Sequence, residues 1–128
     1  MVTLQKYLVK AAAWLEIVAG IALIASPNLG SLLLFATPLD GPGVLFTRFA
    51  GIALLALGAA CMPTPATAQA RATVLGLFLY NAGATMLFVW VGGATTVHGI
   101  LLWPAAILHA GIAVALLALW LNKGSIAS

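Results

Sequence analysis

Four polar side chains interrupt the apolar stretches of this sequence and are the groups that could do chemistry. They are Glu16, Arg48, Asn81 and His109. A carboxyl group and an imidazole can exchange protons, a guanidinium pairs with a carboxylate, and an amide both donates and accepts hydrogen bonds. His98 lies eleven residues before His109. On one helix this spacing would place the two imidazoles on the same face, about 16 Å apart.

The composition defines the medium in which these groups must work. Of the 128 residues, 64% are hydrophobic and 5% are charged, whereas soluble domains carry about 25% charged residues. Such a chain cannot build a water-facing surface, which excludes a soluble globular domain, a disordered chain and a nucleic-acid-binding domain. We therefore expect a single integral membrane domain with lipid as its surroundings.

Apolar runs and the proline and glycine residues between them predict four membrane-spanning helices. They cover residues 4–26, 43–62, 71–91 and 97–121, and about 20 residues suffice to cross the hydrocarbon core. Residues 31–37 are apolar but too short to span, which favours a short interfacial helix in the first loop. Pro104 within the fourth span predicts a kink. The predicted fold is an all-α antiparallel bundle of four transmembrane helices.

Positive charge predicts the orientation of this bundle. Lys6, Lys10, Arg71 and Lys123 fall on the side of the termini, and the opposite loops contain no lysine or arginine. Cytoplasmic loops carry an excess of such residues. We expect both termini in the cytoplasm and a location in a bacterial inner membrane.

Depth singles out the polar residues as a candidate site. The helical rise places Glu16, Asn81 and His109 near the midplane, and Arg48 about 8 Å from the non-cytoplasmic surface. Ionisable groups are costly there and mark functional sites by default. We expect Arg48 to reach Glu16, directly or through one water. We also expect Glu16, Asn81 and His109 to line one cavity open to the non-cytoplasmic side.

The alternative is a purely structural role, in which these side chains serve only to form hydrogen bonds between helices. His98, close to the interface, would then be solvated or bonded to a loop. Haem is disfavoured because the two histidines lie too far apart for one iron. The acids and histidines do not supply a usual zinc ligand set. The single Cys61 cannot form an internal disulfide and is expected to be a buried apolar residue. No metal site is predicted, and the residues identify no cofactor.

Two segments resemble known families. The run from Ala13 to Gly20, Ala-Trp-Leu-Glu-Ile-Val-Ala-Gly, resembles the first helix of small multidrug resistance transporters, which carry one essential membrane glutamate. Residues 76–83 lack that family's aromatic and glycine signature. A proline-containing loop followed by the run from Arg48 to Gly58, Arg-Phe-Ala-Gly-Ile-Ala-Leu-Leu-Ala-Leu-Gly, resembles DoxX-like four-helix bacterial membrane proteins. That family includes accessory membrane subunits of redox systems and many proteins with no assigned activity, so the resemblance implies a fold more than a function.

Three functions remain open at this point. The first is binding a lipophilic ligand such as a quinone, an isoprenoid or a lipid, or docking as an accessory subunit on a larger membrane complex or on copies of itself. The second is proton-coupled transport with Glu16 as the titrating group. The third is an enzyme acting on a lipid-like substrate through Glu16 and His109. The lack of a second midplane carboxylate argues against the enzyme hypothesis. The lack of an internal repeat argues against the transporter hypothesis unless the protein dimerises.

Overall fold

The computed structural model describes residues 2–62 and 67–122, and every regular element in these ranges is a helix. The helices are α1 (Val2–Ala25), α2 (Pro27–Phe35), α3 (Gly41–Cys61), α4 (Thr67–Ala94) and α5 (Leu102–Leu121). Each of the four longer helices is apolar over enough residues to cross a membrane. The prediction of an all-α bundle with four membrane spans is therefore confirmed. The first loop also contains a short helix, but α2 begins at Pro27 and ends at Phe35 rather than covering residues 31–37.

The long helices form two antiparallel pairs, α1 with α3 and α4 with α5. Glycine allows α1 and α3 to approach closely. A methyl group on Gly20 would lie 2.6 Å from the Gly51 carbonyl oxygen, and one on Gly58 would lie 2.6 Å from the Ala13 carbonyl oxygen. The α1 backbone lies farther from α4 and α5, and a buried apolar cluster that includes Ala13, Leu77 and Leu116 fills the space between them. We call this contact between the two pairs the inter-pair seam.

Helix α2 lies at one end of the bundle, which we call the α2 side, and local hydrogen bonds define its ends. Pro27 occupies its first turn, where a missing N–H costs nothing. Beyond the left-handed residue Ala36, the Leu39 amide donates to the Asn28 side chain over 2.8 Å. Asp40 then starts α3 by accepting a hydrogen bond from the Gly43 amide at 2.9 Å.

The loop before α5 is bonded to α2, and this corrects the predicted start of the fourth span. The amides of Gly99 and Leu101 donate to the carbonyls of Leu34 and Leu33 over 2.8 and 2.9 Å. These carbonyls lie at the end of α2 and lack helical partners. Because residues 97–101 are bonded in this way, α5 begins at Leu102 rather than at residue 97.

Two further expectations about the fourth span are wrong for the same reason. His98 lies in the loop and is exposed, so it shares no helix face with His109. Pro104 falls in the first turn of α5, where it breaks no hydrogen bond, and the helix continues without interruption to Leu121. Helix α4 is longer than predicted at both ends. Lys123, which contributed to the predicted orientation, lies outside the described residues.

Candidate functional site

The midplane polar residues occupy the inward-facing stripes of three different helices. On α1, Glu16 continues the buried series Val9, Ala12 and Ala13, and on α4, Asn81 follows Val74 and Leu77 at intervals of three and four. His109 occupies the equivalent place on α5, between Ala106 and Ala113. Such spacing keeps side chains on one helix face. The structure therefore brings together three of the predicted site residues.

Asn81 is the hydrogen-bonding centre of this group. Its Oδ1 lies 2.7 Å from Nδ1 of His109, and its Nδ2 donates to the Leu77 carbonyl over 2.9 Å. Since Oδ1 can only accept, Nδ1 of His109 must carry the proton. In the neutral imidazole this leaves Nε2 as an acceptor. The Thr85 hydroxyl donates to the Asn81 carbonyl at 2.8 Å, one helical turn away.

Glu16 is fully buried and lacks a hydrogen-bond partner. None of its surface is accessible, and neither carboxyl oxygen forms a hydrogen bond. Asn81 and Tyr80 turn their polar groups toward this carboxyl, but neither reaches hydrogen-bond geometry with it. Leaving a buried polar group unsatisfied costs about 1–3 kcal/mol. Native proteins retain such groups mainly where they have a role.

Tyr80 completes the group, and the sequence-based prediction missed it. Its ring meets the His109 imidazole edge-on, with centroids 5.8 Å apart. On another side of the imidazole lies Phe88, at 5.7 Å, and Phe88 in turn contacts Phe35 of α2 at 6.4 Å. Tyr80 directly precedes Asn81 in the sequence, so its hydroxyl lies at the same depth, and this depth was the sequence feature that could have identified it as a member of the group. We call Glu16, Tyr80, Asn81 and His109 the polar cluster.

Arg48 does not belong to the polar cluster, so the predicted pairing with Glu16 is wrong. Its side chain is exposed on α3, whereas Glu16 is buried without a partner. Gly20 lies against both Gly51 and Leu55, and Gly58 lies against both Ala13 and Ile17, which places Glu16 level with about residue 57. Arg48 therefore lies about nine residues away along the axis, or about 13 Å.

The polar cluster is closed, which corrects the expectation of an open cavity. Glu16 and Asn81 have no accessible surface, so no water-sized space adjoins them. His109 is half-buried and is the most accessible of the three residues predicted to line that cavity. Close packing of the seam around the hydrogen bond between Asn81 and His109 accounts for the difference. Cys61 is buried, as predicted.

The donors and acceptors of the polar cluster determine which chemistry it can support. In the described part of the chain, no three His, Cys, Asp or Glu side chains are grouped so as to hold a metal ion. The capacity available to a ligand includes the two Glu16 oxygens, Nε2 of His109 and the Tyr80 hydroxyl. All of these groups can accept hydrogen bonds, the hydroxyl can also donate one, and the carboxyl group can take up a proton.

No protein-family model matches this chain, and no curated protein or solved structure matches it significantly. Function must therefore be inferred from the geometry of the polar cluster.

Proposed function

We propose that the protein binds a lipophilic molecule with a polar head in the inter-pair seam, where the head contacts the polar cluster. The single observation that carries this proposal is the Glu16 carboxyl, buried completely and without a hydrogen-bond partner. A side chain retained only to join helices would be satisfied by its neighbours. A partner supplied from outside the chain explains why this one is not.

The wider spacing of the two pairs supports this proposal. The helices within each pair lie close together, whereas the α1 backbone lies farther from α4 and α5, with buried apolar side chains such as Ala13, Leu77 and Leu116 between them. A ligand that separates the pairs would reach Glu16 without breaking either pair, and lipid would cover the apolar side chains that this exposes. Ligand sites in helix bundles commonly lie between helices, near the bilayer midplane. Entry from the membrane suits a lipophilic ligand.

The free acceptors indicate the character of the ligand's head. Glu16 presents oxygens, and His109 presents Nε2 once its Nδ1 proton is bonded to Asn81. A hydroxyl or amine would donate to these atoms, whereas a head offering only carbonyl oxygens would need the Tyr80 hydroxyl or a protonated Glu16 as its donor. Hydroxylated isoprenoids and quinols are lipophilic molecules of the favoured kind.

Mass spectrometry of what co-purifies in mild detergent tests this proposal. The chain has two acidic side chains, Glu16 and Asp40, which provide a matched pair of variants. Glu16→Gln should lose the co-purifying molecule while the protein remains folded. Asp40→Asn should retain it, because asparagine caps a helix as well as aspartate does. Equal retention in both variants, or no bound molecule in the wild type, would contradict the proposal.

Proton-coupled transport of small lipophilic cations is the second candidate. It is favoured by the separation of Arg48 from Glu16, because the carboxyl is then free to bind either a proton or a cation. Proteoliposomes loaded with a lipophilic cation such as tetraphenylphosphonium would show proton-driven efflux that Glu16→Gln abolishes. Binding without such efflux would leave ligand binding as the function.

For the orientation, we propose cytoplasmic termini in a bacterial inner membrane, supported by Lys6, Lys10 and Arg71 at the end of the bundle opposite α2. Single cysteines test this in a Cys61→Ala background. An impermeant thiol reagent should label Thr96→Cys in intact cells, but Ser125→Cys only after lysis. The reverse pattern would overturn the orientation.

A further inference from the structure

Helix α3 presents an apolar groove to the outside of the bundle, in the half of the helix nearest α2. This groove is a shallow, largely open depression of about 480 Å³ on one face of α3, lined by Pro42, Leu45, Phe46 and Phe49. The side chains of Phe46 and Phe49 are 75% and 71% exposed. Helix α3 packs mainly on α1, which leaves this face to the surrounding lipid.

Arg48 lies beside this groove and has no carboxylate partner. It follows Leu45 by one turn and adjoins Phe49, and its side chain is exposed. Of the two acidic side chains, Glu16 forms no hydrogen bond and Asp40 caps α3, eight residues away. Arg48 lies seven residues below Gly41, which is about 10 Å from the start of the helix. A guanidinium at this depth extends toward the headgroup region to avoid the hydrocarbon.

We propose that Arg48 and the α3 groove bind an anionic phospholipid. The guanidinium pairs with the lipid phosphate, and an acyl chain lies along Leu45, Phe46 and Phe49. Arginine binds phosphate through two parallel hydrogen bonds, which favours it over a single point charge. The apolar lining of the groove requires a chain attached to that phosphate, and therefore a lipid rather than the free anion. This site shares no residue with the polar cluster, so either one can fail without the other.

A headgroup without a positive charge should be preferred at this site. A phosphatidylcholine also carries a phosphate, but its choline would have to lie near the Arg48 guanidinium, and like charges repel. Phosphatidylglycerol has the same phosphate and no cation. When their acyl chains are identical, the two lipids therefore make the same contacts with the groove and differ only in how the headgroup interacts with the Arg48 guanidinium.

Photo-crosslinking from the groove tests the proposal. The full chain is reconstituted in vesicles of equal dioleoyl-phosphatidylglycerol and dioleoyl-phosphatidylcholine, with p-benzoylphenylalanine in place of Phe46. The crosslinked lipids are then counted by mass spectrometry. The control carries the crosslinker in place of Ile107, which lies five residues after the start of α5, as Phe46 lies five residues after the start of α3. The two side chains are similarly exposed, at 72% and 75%.

We expect phosphatidylglycerol to exceed phosphatidylcholine about tenfold at position 46, because both lipids offer the same phosphate but only phosphatidylcholine brings a cation that the Arg48 guanidinium repels. Arg48→Gln should bring that ratio close to one, while Arg48→Lys should retain part of the preference. At position 107 the ratio should stay near one, and excess inorganic phosphate should change neither ratio. A ratio near one at position 46, a preference that survives Arg48→Gln in the folded protein, an equal preference at position 107, or competition by inorganic phosphate would each overturn the proposal.

Discussion

The contact between α1 and α3 is closed by glycine, whereas the contact between α1 and the α4–α5 pair contains polar side chains. In the first contact, Gly20, Gly51 and Gly58 bring the two backbones together without space for a methyl group. In the second, Asn81 and His109 share a hydrogen bond while the neighbouring Glu16 has none. Both contacts involve α1, and each one uses a different face of that helix.

This difference indicates that the two contacts have different tasks. Close packing of small residues is how membrane helices associate firmly, since lipid offers no hydrophobic driving force between them. An unsatisfied carboxyl in the seam gives up stability that an apolar residue would provide. We infer that the α1–α3 contact holds the fold, and that the inter-pair seam gives up stability for ligand access.

The largest expected effect is on the glycine contact. Gly58→Leu should lower the free energy of unfolding by about 3 kcal/mol, because its first side-chain atom would meet the Ala13 carbonyl. Unfolding in mixed detergent micelles, followed by circular dichroism, measures this. Gly83 has no neighbour within 4 Å of an added methyl, so Gly83→Leu is the control and should not destabilise. If both changes lowered the free energy of unfolding equally, the α1–α3 contact would have no special role in holding the fold.

A change of opposite sign is expected in the seam. Glu16→Leu should raise the free energy of unfolding by about 1–3 kcal/mol, since it removes an unsatisfied buried group, and it should abolish ligand binding. Glu16→Gln keeps the shape and should change stability by less. The same unfolding assay distinguishes these outcomes. A loss of about 3–5 kcal/mol on Glu16→Gln would instead indicate that a charged partner had been left buried and alone.

A smaller effect concerns the hydrogen bond between Asn81 and His109. A double-mutant cycle with Asn81→Leu and His109→Phe should give a coupling energy of about 0.6 kcal/mol and at most about 1.7 kcal/mol, as found for such bonds within membranes. The control cycle combines Asn81→Leu with Asp40→Asn, which lies at the start of α3, and should be additive within about 0.5 kcal/mol. Additivity in the first cycle would mean that this bond does not stabilise the seam.

The smallest effect is expected for Arg48. Because its side chain is exposed and unpaired with Glu16, Arg48→Gln should change the free energy of unfolding by no more than about 0.5 kcal/mol. A buried ion pair would lose about 3–5 kcal/mol on the same change. The two values are far enough apart for a single unfolding curve to decide between them.

The sequence predicts the depth of the polar residues better than their partners. Helical rise is constant, so Glu16, Asn81 and His109 could be placed at one level from the chain alone. The pairing with Arg48 failed because the register of α1 and α3 depends on where Gly20 meets Gly51, and nothing local to Arg48 encodes that. Tyr80 was missed because helix rotation decides whether a flanking residue faces the cluster.

For the helix ends too, the sequence predicts what depends on neighbouring residues better than what depends on distant contacts. The end of α1 follows from Pro27, and the start of α3 follows from Asp40, both of which act within one turn. The start of α5 did not follow from the sequence, because residues 97–101 are apolar enough to continue a helix. Two of their amides, those of Gly99 and Leu101, are instead bonded to carbonyls at the end of α2, more than sixty residues earlier in the chain. Tertiary hydrogen bonds of this kind have no sequence pattern.

The most direct test of a ligand-accessible seam is chemical labelling of Glu16. Dicyclohexylcarbodiimide is a lipophilic reagent that modifies carboxyl groups, and peptide mapping by mass spectrometry distinguishes Glu16 from Asp40. If the pairs separate to admit ligands from the membrane, Glu16 should be labelled in the folded protein in lipid bilayers. Labelling that requires denaturation, with Glu16 unmodified in the folded state, would show that the seam stays closed and would contradict the proposed site.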